Sequence, residues 1–295
     1  MVENLSKCAL CPHHCNVDRL NNKIGRCKAT SNVKIALSSL HFFEEPCISM
    51  KNGSGAVFFS NCNLNCVFCQ NYEISQLGEG KEISIQDLAD IFIELQNKKA
   101  NNINLVTPTA YVYHIIEAIK IAKNNGLKIP IIYNTNGYDD VETIKLLDGY
   151  IDVYLPDFKY SDNNLAKKYS NINNYFETAS LAIQEMYYQV GLPQFDENGI
   201  IKKGLIIRHL ILPNHLENTK NVLLWIKENL PKKTYISLMA QYFPTYRANE
   251  FELINRKLNN KELNEINEFL KKLNFENGYI QSLEENEEQY VPKFK

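Results

Sequence analysis

From about residue 56 onward the apolar positions of this chain alternate between two rhythms. Short, nearly continuous apolar runs occupy residues 56–60, 104–107, 131–134, 153–155, 205–212 and 235–239. Such runs fit strands covered on both faces, as in a parallel sheet. Between them, apolar residues recur at helical spacing over residues 84–99, 111–123, 175–190, 218–229 and 261–273. Ser84-Ile-Gln-Asp87 has the form of a capped start for the first of these helices. Asn125-Gly126 closes the second. This alternation predicts stacked β-α units on one sheet.

Six such units in roughly 220 residues are too few for a closed eight-fold barrel. The expected α/β fold is therefore a partial (β/α)6 barrel, open on one side, over residues 51–275. An open doubly wound sheet is the alternative. The connection after the fourth strand is the longest, and Asn198-Gly199 between apolar residues predicts a small hairpin there. Residues 1–50 lack periodicity and form a cysteine-rich segment. Residues 276–295 read as a C-terminal tail, with a solvated acidic run at 284–288.

Composition narrows the class. The chain has 295 residues, 44% hydrophobic and 22% charged, as in an ordinary globular protein. Its net charge of −2 provides no general field for nucleic acid or an anionic membrane. The N-terminus has no apolar stretch of the kind an export signal needs, and no apolar run approaches the ~20 residues of a membrane span. A cytoplasmic location is expected. In that reducing compartment closely spaced cysteines mean metal rather than disulfide.

All eight cysteines lie in the first 69 residues. Chance placement there is on the order of 10⁻⁵, so the clustering reads as ligand arithmetic. Cys62-Asn-Leu-Asn-Cys66-Val-Phe-Cys69 supplies three thiolates directly after an apolar strand. Three can hold a cuboidal iron–sulfur cluster at three corners, where four is the usual complement. The corner left over is open to a ligand, as in catalytic zinc sites. Cys8, Cys11, Cys15 and Cys27 form a second group with zinc-like spacing. Zinc or an auxiliary iron–sulfur cluster suits four thiolates, and His13, His14 or His41 can replace one. Cys47 is left as either a buried structural thiol or a ligand.

The predicted strands end in polar or special residues: the cysteine triplet, Thr107-Pro-Thr109, Asn134-Thr-Asn136-Gly137, Pro156-Asp157-Phe-Lys159, Pro213-Asn214 after Arg208-His209, and Gln241-Tyr242. In barrels the strand ends build the active site. Six in register predict one pocket for a polar ligand. Of Arg208 and His209, only one can face that pocket, because strand side chains alternate. His114, on an apolar helix, is expected to be structural. Tyr242 suits core packing and pocket lining equally.

The triplet, with an aromatic residue just before its last cysteine, resembles the radical S-adenosylmethionine (radical SAM) superfamily. More closely, the chain is similar to the pyruvate formate-lyase activating enzyme-like (PflX-type) group. The matching stretches are Glu45-Pro-Cys-Ile-Ser49, the run from Cys66 to Gln76, Asn102 to Thr109, Tyr154 to Tyr160 and Arg208 to Pro213. The resemblance implies a [4Fe–4S] cluster on Cys62, Cys66 and Cys69, with S-adenosylmethionine on the fourth iron. It implies reductive cleavage to a 5′-deoxyadenosyl radical that takes a hydrogen atom, as in glycyl-radical-enzyme activation. Small molecules, RNA and other protein side chains are the alternative substrates; a non-catalytic metal-stabilised binding module is a third reading.

The same resemblance implies residue roles. Phe68 and the Cys69-Gln70 backbone contact adenine. Thr107 and Thr109 stand where many relatives bind the methionine amino group through Gly-Gly-Glu, so a threonine hydroxyl or a carbonyl would serve here. Asn134 and Asn136 reach ribose or methionine. Asp157 accepts from ribose hydroxyls, while Lys159 and Arg208 pair with the methionine carboxylate. The implied partners are an electron donor such as flavodoxin or ferredoxin and a glycyl-radical enzyme.

Overall fold

The structure, a computed structural model, describes residues 1–281. Two short 3-10 turns in the cysteine-rich segment precede β1 (Val33–His41), α1 (Pro46–Ser49) and β2 (Ser54–Phe59). Then come α2 (Tyr72–Ser75), β3 (Lys81–Ile83), α3 (Ile85–Asn97), β4 (Ile103–Val106), α4 (Val112–Asn124), β5 (Ile131–Thr135) and α5 (Val141–Leu146). The chain continues through β6 (Val153–Pro156), α6 (Asn163–Ser170), α7 (Tyr175–Val190), β7 (Gln194–Phe195) and β8 (Ile201–Leu210). It closes with α8 (Leu216–Asn229), β9 (Tyr235–Met239), α9 (Asn260–Leu273) and β10 (Gly278–Ile280).

The strands pair in the order β10-β9-β8-β6-β5-β4-β2-β1-β3, with β7 hairpinned onto β8. From β2 to β10 every neighbouring pair is parallel and the order follows the chain without reversal. A doubly wound sheet needs a reversal. Without one, right-handed crossovers put the helices on one face and the sheet curls around the other. The fold is thus the expected partial barrel, open on one side. Antiparallel β1 and β3 extend one edge.

Strand alternation sorts the two faces. Leu105, Tyr133, Tyr154, Ile207 and Leu238 face outward into the main core beneath the helices. Ala56, Phe58, Ile132, Val153, Leu155 and Ile206 face inward and belong to separate, smaller clusters. The caps are as local chemistry dictates. Ser84 and Asp87 form a reciprocal capping box on α3, and Asn259 and Glu262 form another on α9.

Two stretches contain more structure than their sequence patterns predicted. Within residues 1–50, β1 runs antiparallel to β2, so its end at His41 lies beside Ser54, where β2 begins. From there residues 42–50 enter the lumen, and Cys47 and Ile48 pack on Ile132, Val153 and Leu155. In the stretch read as a tail, β10 adds a parallel strand beside β9. The acidic run at 284–288 lies outside the described residues.

Candidate active site

The loop after β2 carries the three cysteines and is clamped from outside. Tyr169 and Ser170, at the end of α6, accept backbone hydrogen bonds from Val67 and Asn65, and the Val67 carbonyl accepts from the Arg247 amide. Each thiol meets a polar group from a different element. Cys66 Sγ lies 2.9 Å from Ser170 Oγ, and Cys69 Sγ lies 3.1 Å from Ser75 Oγ. Cys62 Sγ accepts from Asn136 Nδ2 at 3.3 Å and from the Leu64 amide at 3.4 Å. Burial, with the Cys66 thiol adding, pushes Cys62 up to about 12; burial pushes Cys66 up to about 11 and raises Cys69. Neutral thiols of this kind are deprotonated when they ligate metal.

All three cysteines line one cavity of about 520 Å³, within the range typical of ligand pockets. Its walls include Phe68, Gln70, Thr107, Asn134, Asn136, Asp157, Lys159 and Arg208. Of the predicted cofactor contacts, only Thr109 is missing. It opens a 3-10 turn directly after the strand, and its hydroxyl donates to Asp139 at 2.7 Å. Tyr133 and Thr135 hydroxyls also donate to that buried carboxylate, so Thr109 belongs to a structural network. Thr107 does reach the cavity, with φ of +60°. A β-branched residue there is costly, and such costs concentrate at functional sites.

A chain of charges crosses the cavity. Arg208 Nε donates to Asp157 Oδ1 at 2.8 Å, its Nη2 donates to Asn134 Oδ1 at 2.6 Å, and its Nη1 pairs with Glu44 Oε2 at 3.3 Å. Lys159 Nζ pairs with Asp157 Oδ2 at 2.6 Å. These side chains are only 10–17% exposed. Burial alone works against every charge here. For Asp157 the Arg208 and Lys159 cations outweigh it and hold the carboxyl below its usual range. For Lys159, Asp157 and Cys66 outweigh it and hold the ammonium above its usual range. Glu44 and Glu45 are raised by burial.

Gly137 fixes this constellation. Its φ is +81°, and a Cβ there would sit 2.2 Å from the Asp157 carbonyl oxygen. Only glycine lets the turn after β5 approach β6 so closely. The buried Tyr175 hydroxyl then donates to the Asn136 and Asp157 carbonyls, both at 2.8 Å. Arg208 faces the cavity, whereas His209 points outward to the Phe158 carbonyl and Thr219 Oγ1. His114 is buried on Ser31 O, as its helix predicted. Tyr242 does both things expected of it, lining the cavity edge-on to Phe68 and donating to Ile254 O at 2.6 Å.

The sequence reading missed Glu44, Glu45, Ser75 and Ser170. The two glutamates stand in an aperiodic segment, and although Glu45 opens a stretch matched to the family, the resemblance assigns neither a role. The two serines become meaningful only once the fold sets them beside thiols.

The amino-terminal cysteines form a different kind of group. Burial, with smaller contributions from neighbouring thiols, raises Cys11 and Cys27. Cys8 and Cys15 are among those neighbours, so the four converge. Buried Arg19 ties the segment to the barrel by donating to Thr30 O, Ala110 O and Cys8 Sγ. Cys15 Sγ accepts from the Arg26 amide at 3.3 Å. Among the described residues, no three His, Cys, Asp or Glu side chains are closed to single-ion geometry. His13 and His14 are engaged by Asn63 O and Asp140, and His41 packs edge-on to Phe43 and Phe58. Cys47 is buried against Ile132, Val153 and Leu155; burial pushes its thiol up to about 11, and it shares a hydrogen bond with Tyr279.

Comparison with known proteins agrees with this geometry. A family model described as the radical SAM superfamily matches residues 56–193, which include most of β2, the triplet and strands β3 to β6. The chain is 32% identical over 289 residues to the uncharacterized protein MJ0674 of Methanocaldococcus jannaschii, covering 94% of this chain and 78% of that protein. Among solved structures it is similar to Streptococcus suis SuiB bound to precursor peptide SuiA, with a TM-score of 0.52 and 15% identity over 76% of this chain and 47% of SuiB. SuiB bound to S-adenosylmethionine gives a TM-score of 0.50 and 16% identity over 76% of this chain and 48% of that one. The chain spans about half the length of these solved structures. Among the described residues, no helix is long and apolar enough to cross a membrane.

Proposed function

Because the chain belongs to the radical SAM superfamily, we propose that it uses the site at Cys62, Cys66 and Cys69 to activate a glycyl-radical enzyme by hydrogen abstraction. The observation that carries the radical chemistry is the shared cavity: three thiols and the buried charge chain face one space. The donor set fits the cofactors. Three thiols would hold three irons of a [4Fe–4S] cluster, and a fourth iron would face the cavity. Phe68, Gln70, Thr107, Asn134 and Asn136 would hold the nucleoside and methionine parts of S-adenosylmethionine. Lys159 and Arg208 would hold its carboxylate, and Asp157 its ribose hydroxyls. When bound, the two cofactors supply a one-electron cleavage of the sulfonium S–C5′ bond, giving methionine and a 5′-deoxyadenosyl radical that takes a hydrogen atom from the substrate.

The chain's own residues bind, orient and exclude water. Ser75, Ser170 and Asn136 place hydrogen-bonding groups against the three sulfurs, an arrangement that tunes reduction potential in iron–sulfur proteins. Gly137 and Tyr175 hold the ends of β5 and β6 together, so Asn136 and Asp157 act as one wall. The electron comes from a small reductant such as flavodoxin or ferredoxin in a reducing cytoplasm. Cys8, Cys11, Cys15 and Cys27 would hold a second metal, zinc or an auxiliary cluster, that shapes the amino-terminal segment. The glycyl-radical reading rests on resemblance across nearly the whole chain. SuiB, bound to a precursor peptide, favours a second reading in which another peptide group is modified.

Anaerobic reconstitution with iron and sulfide, then reduction by dithionite, tests the chemistry. The expected result is 5′-deoxyadenosine formed from S-adenosylmethionine. Its absence sinks the radical reading. With a glycyl-radical partner present, an organic radical on that partner is expected by electron paramagnetic resonance; its absence, with 5′-deoxyadenosine still formed, leaves the second reading.

A further inference from the structure

Among the described residues, one acidic side chain of the cavity wall keeps an oxygen without a hydrogen-bond partner. Glu45 is 8% exposed and lines the lumen. Ser237 bonds its carboxyl group, yet Oε2 is buried without a partner. Buried polar atoms are nearly always paired, so an orphaned carboxyl oxygen on a residue of the cavity wall needs an explanation. Two further orphans line the same space, Gln241 Oε1 and Gln281 Oε1. All three are oxygens. An amide can present oxygen or nitrogen, whereas a carboxyl group ionised by a bound cation offers two acceptor oxygens and no donor.

Charge points the same way. Among the described residues, Glu44, Glu45 and Asp157 line the lumen with Arg208 and Lys159, three acidic side chains against two basic ones. Glu44 is served by Arg208 and Asn104, and Asp157 by Arg208 and Lys159. Arg208 acts on Glu45 as well, but from farther away; among the described residues Glu45 alone of the three has no cation at salt-bridge distance. Phe42, Phe43 and Tyr279 line the cavity too, and aromatic walls suit the apolar stem and charged head of an organic cation.

We propose that Glu45, with Gln241 and Gln281, forms a subsite for a cationic nitrogen group of the substrate, an ammonium or guanidinium. The proposal rests on the radical reading, since it fills the space in that cavity left beside S-adenosylmethionine. It narrows the substrate to a small amine or to a peptide bearing lysine or arginine near the reacting carbon.

Calorimetric titration of the cluster-loaded protein with S-adenosylmethionine present tests it. The free-amine probe is n-hexylamine, with n-hexanol as its uncharged counterpart. The peptide probe is acetyl-Gly-Lys-Gly amide, with the norleucine peptide as counterpart. At least one cation should bind about tenfold or more tighter than its counterpart, and Glu45→Gln should erase that preference. Preference for hexylamine indicates a small-molecule source; preference for the lysine peptide alone indicates a protein or peptide source. Equal binding of charged and uncharged probes by the wild-type protein overturns the proposal without requiring any variant. A loss of S-adenosylmethionine affinity in Glu45→Gln, with probe binding unchanged, also overturns it, because Glu45 then serves the cofactor. Formation of 5′-deoxyadenosine by wild-type protein without probe reports separately on the radical reading.

Discussion

Seven of the eight cysteines fall into two groups that differ in what surrounds them. Cys62, Cys66 and Cys69 sit where β2 ends, and their sulfurs meet Asn136, Ser170 and Ser75 from three other parts of the chain. They open on a cavity crossed by buried charges. Cys8 and Cys15 take hydrogen bonds from Arg19 and Arg26 of their own segment, which Arg19, His13 and His14 tie to the barrel. The fold converges on the first group and opens a cavity beside it, whereas the second group stays within a short segment of its own.

The largest test of that contrast exchanges one cysteine in each group. Cys66→Ala should drop 5′-deoxyadenosine formation to background, measured by chromatography under dithionite. Cys11→Ala should retain cleavage while lowering the melting temperature by several degrees. Equal loss of product in both variants would place the amino-terminal metal in the electron path and dissolve the distinction.

Next in size is the buried charge chain. Arg208→Met leaves Asp157 and Glu44 facing each other without their shared cation. Stranding buried charges in this way costs about 3–5 kcal/mol, readable in urea unfolding. Adding Asp157→Asn should recover part of the loss, since the pair is coupled. If the two single effects simply add, the network reading is wrong.

His209 gives a pH signature on the outward face of the same strand. Burial pushes it down to about 4, with Phe158 O opposing only in part. An unfolded histidine titrates near 6.5. Between those values the unfolded chain binds the extra proton, so stability falls as pH drops from about 6.5 to about 4. The expected loss is roughly 3 kcal/mol over that window, and His209→Gln should flatten it. An unchanged pH slope in that variant breaks the assignment.

The smallest effect lies far from either cysteine group. Glu262 is lowered to about 2, first by the Arg256 hydrogen bonds and then by amides of Asn214 and Asn259. Its contribution is present above its ordinary pKa and is lost as pH falls from about 4.5 toward about 2. Glu262→Gln should cost about 1 kcal/mol at neutral pH and leave the 5′-deoxyadenosine yield of both cysteine variants unaltered.

Much of the barrel was legible because its signals are local. The six apolar runs lie on β2, β4, β5, β6, β8 and β9, displaced by a residue or two at some ends and farther at the start of β8. The Ser84 cap and the hairpin about Gly199 were chemically marked. The floor was not legible. β1 is half-exposed and carries Ser38, Ser39 and His41, so no clean alternation announces it. Glu44 and Glu45 gain meaning only from residues about 60 to 190 positions away, Asn104, Arg208 and Ser237. Thr109 shows the converse failure. A strand-end position predicted pocket lining, and the turn after β4 delivered its hydroxyl to Asp139 instead.

The most direct test asks whether a ligand can reach the corner that three thiolates leave open. Reconstituted, dithionite-reduced protein is measured by low-temperature electron paramagnetic resonance with and without S-adenosylmethionine. A [4Fe–4S] signal whose g-values shift on adding S-adenosylmethionine, lost in Cys66→Ala and kept in Cys11→Ala, is the predicted result. A signal indifferent to S-adenosylmethionine, or one that survives in Cys66→Ala, would contradict the assignment of that cavity as the reaction site.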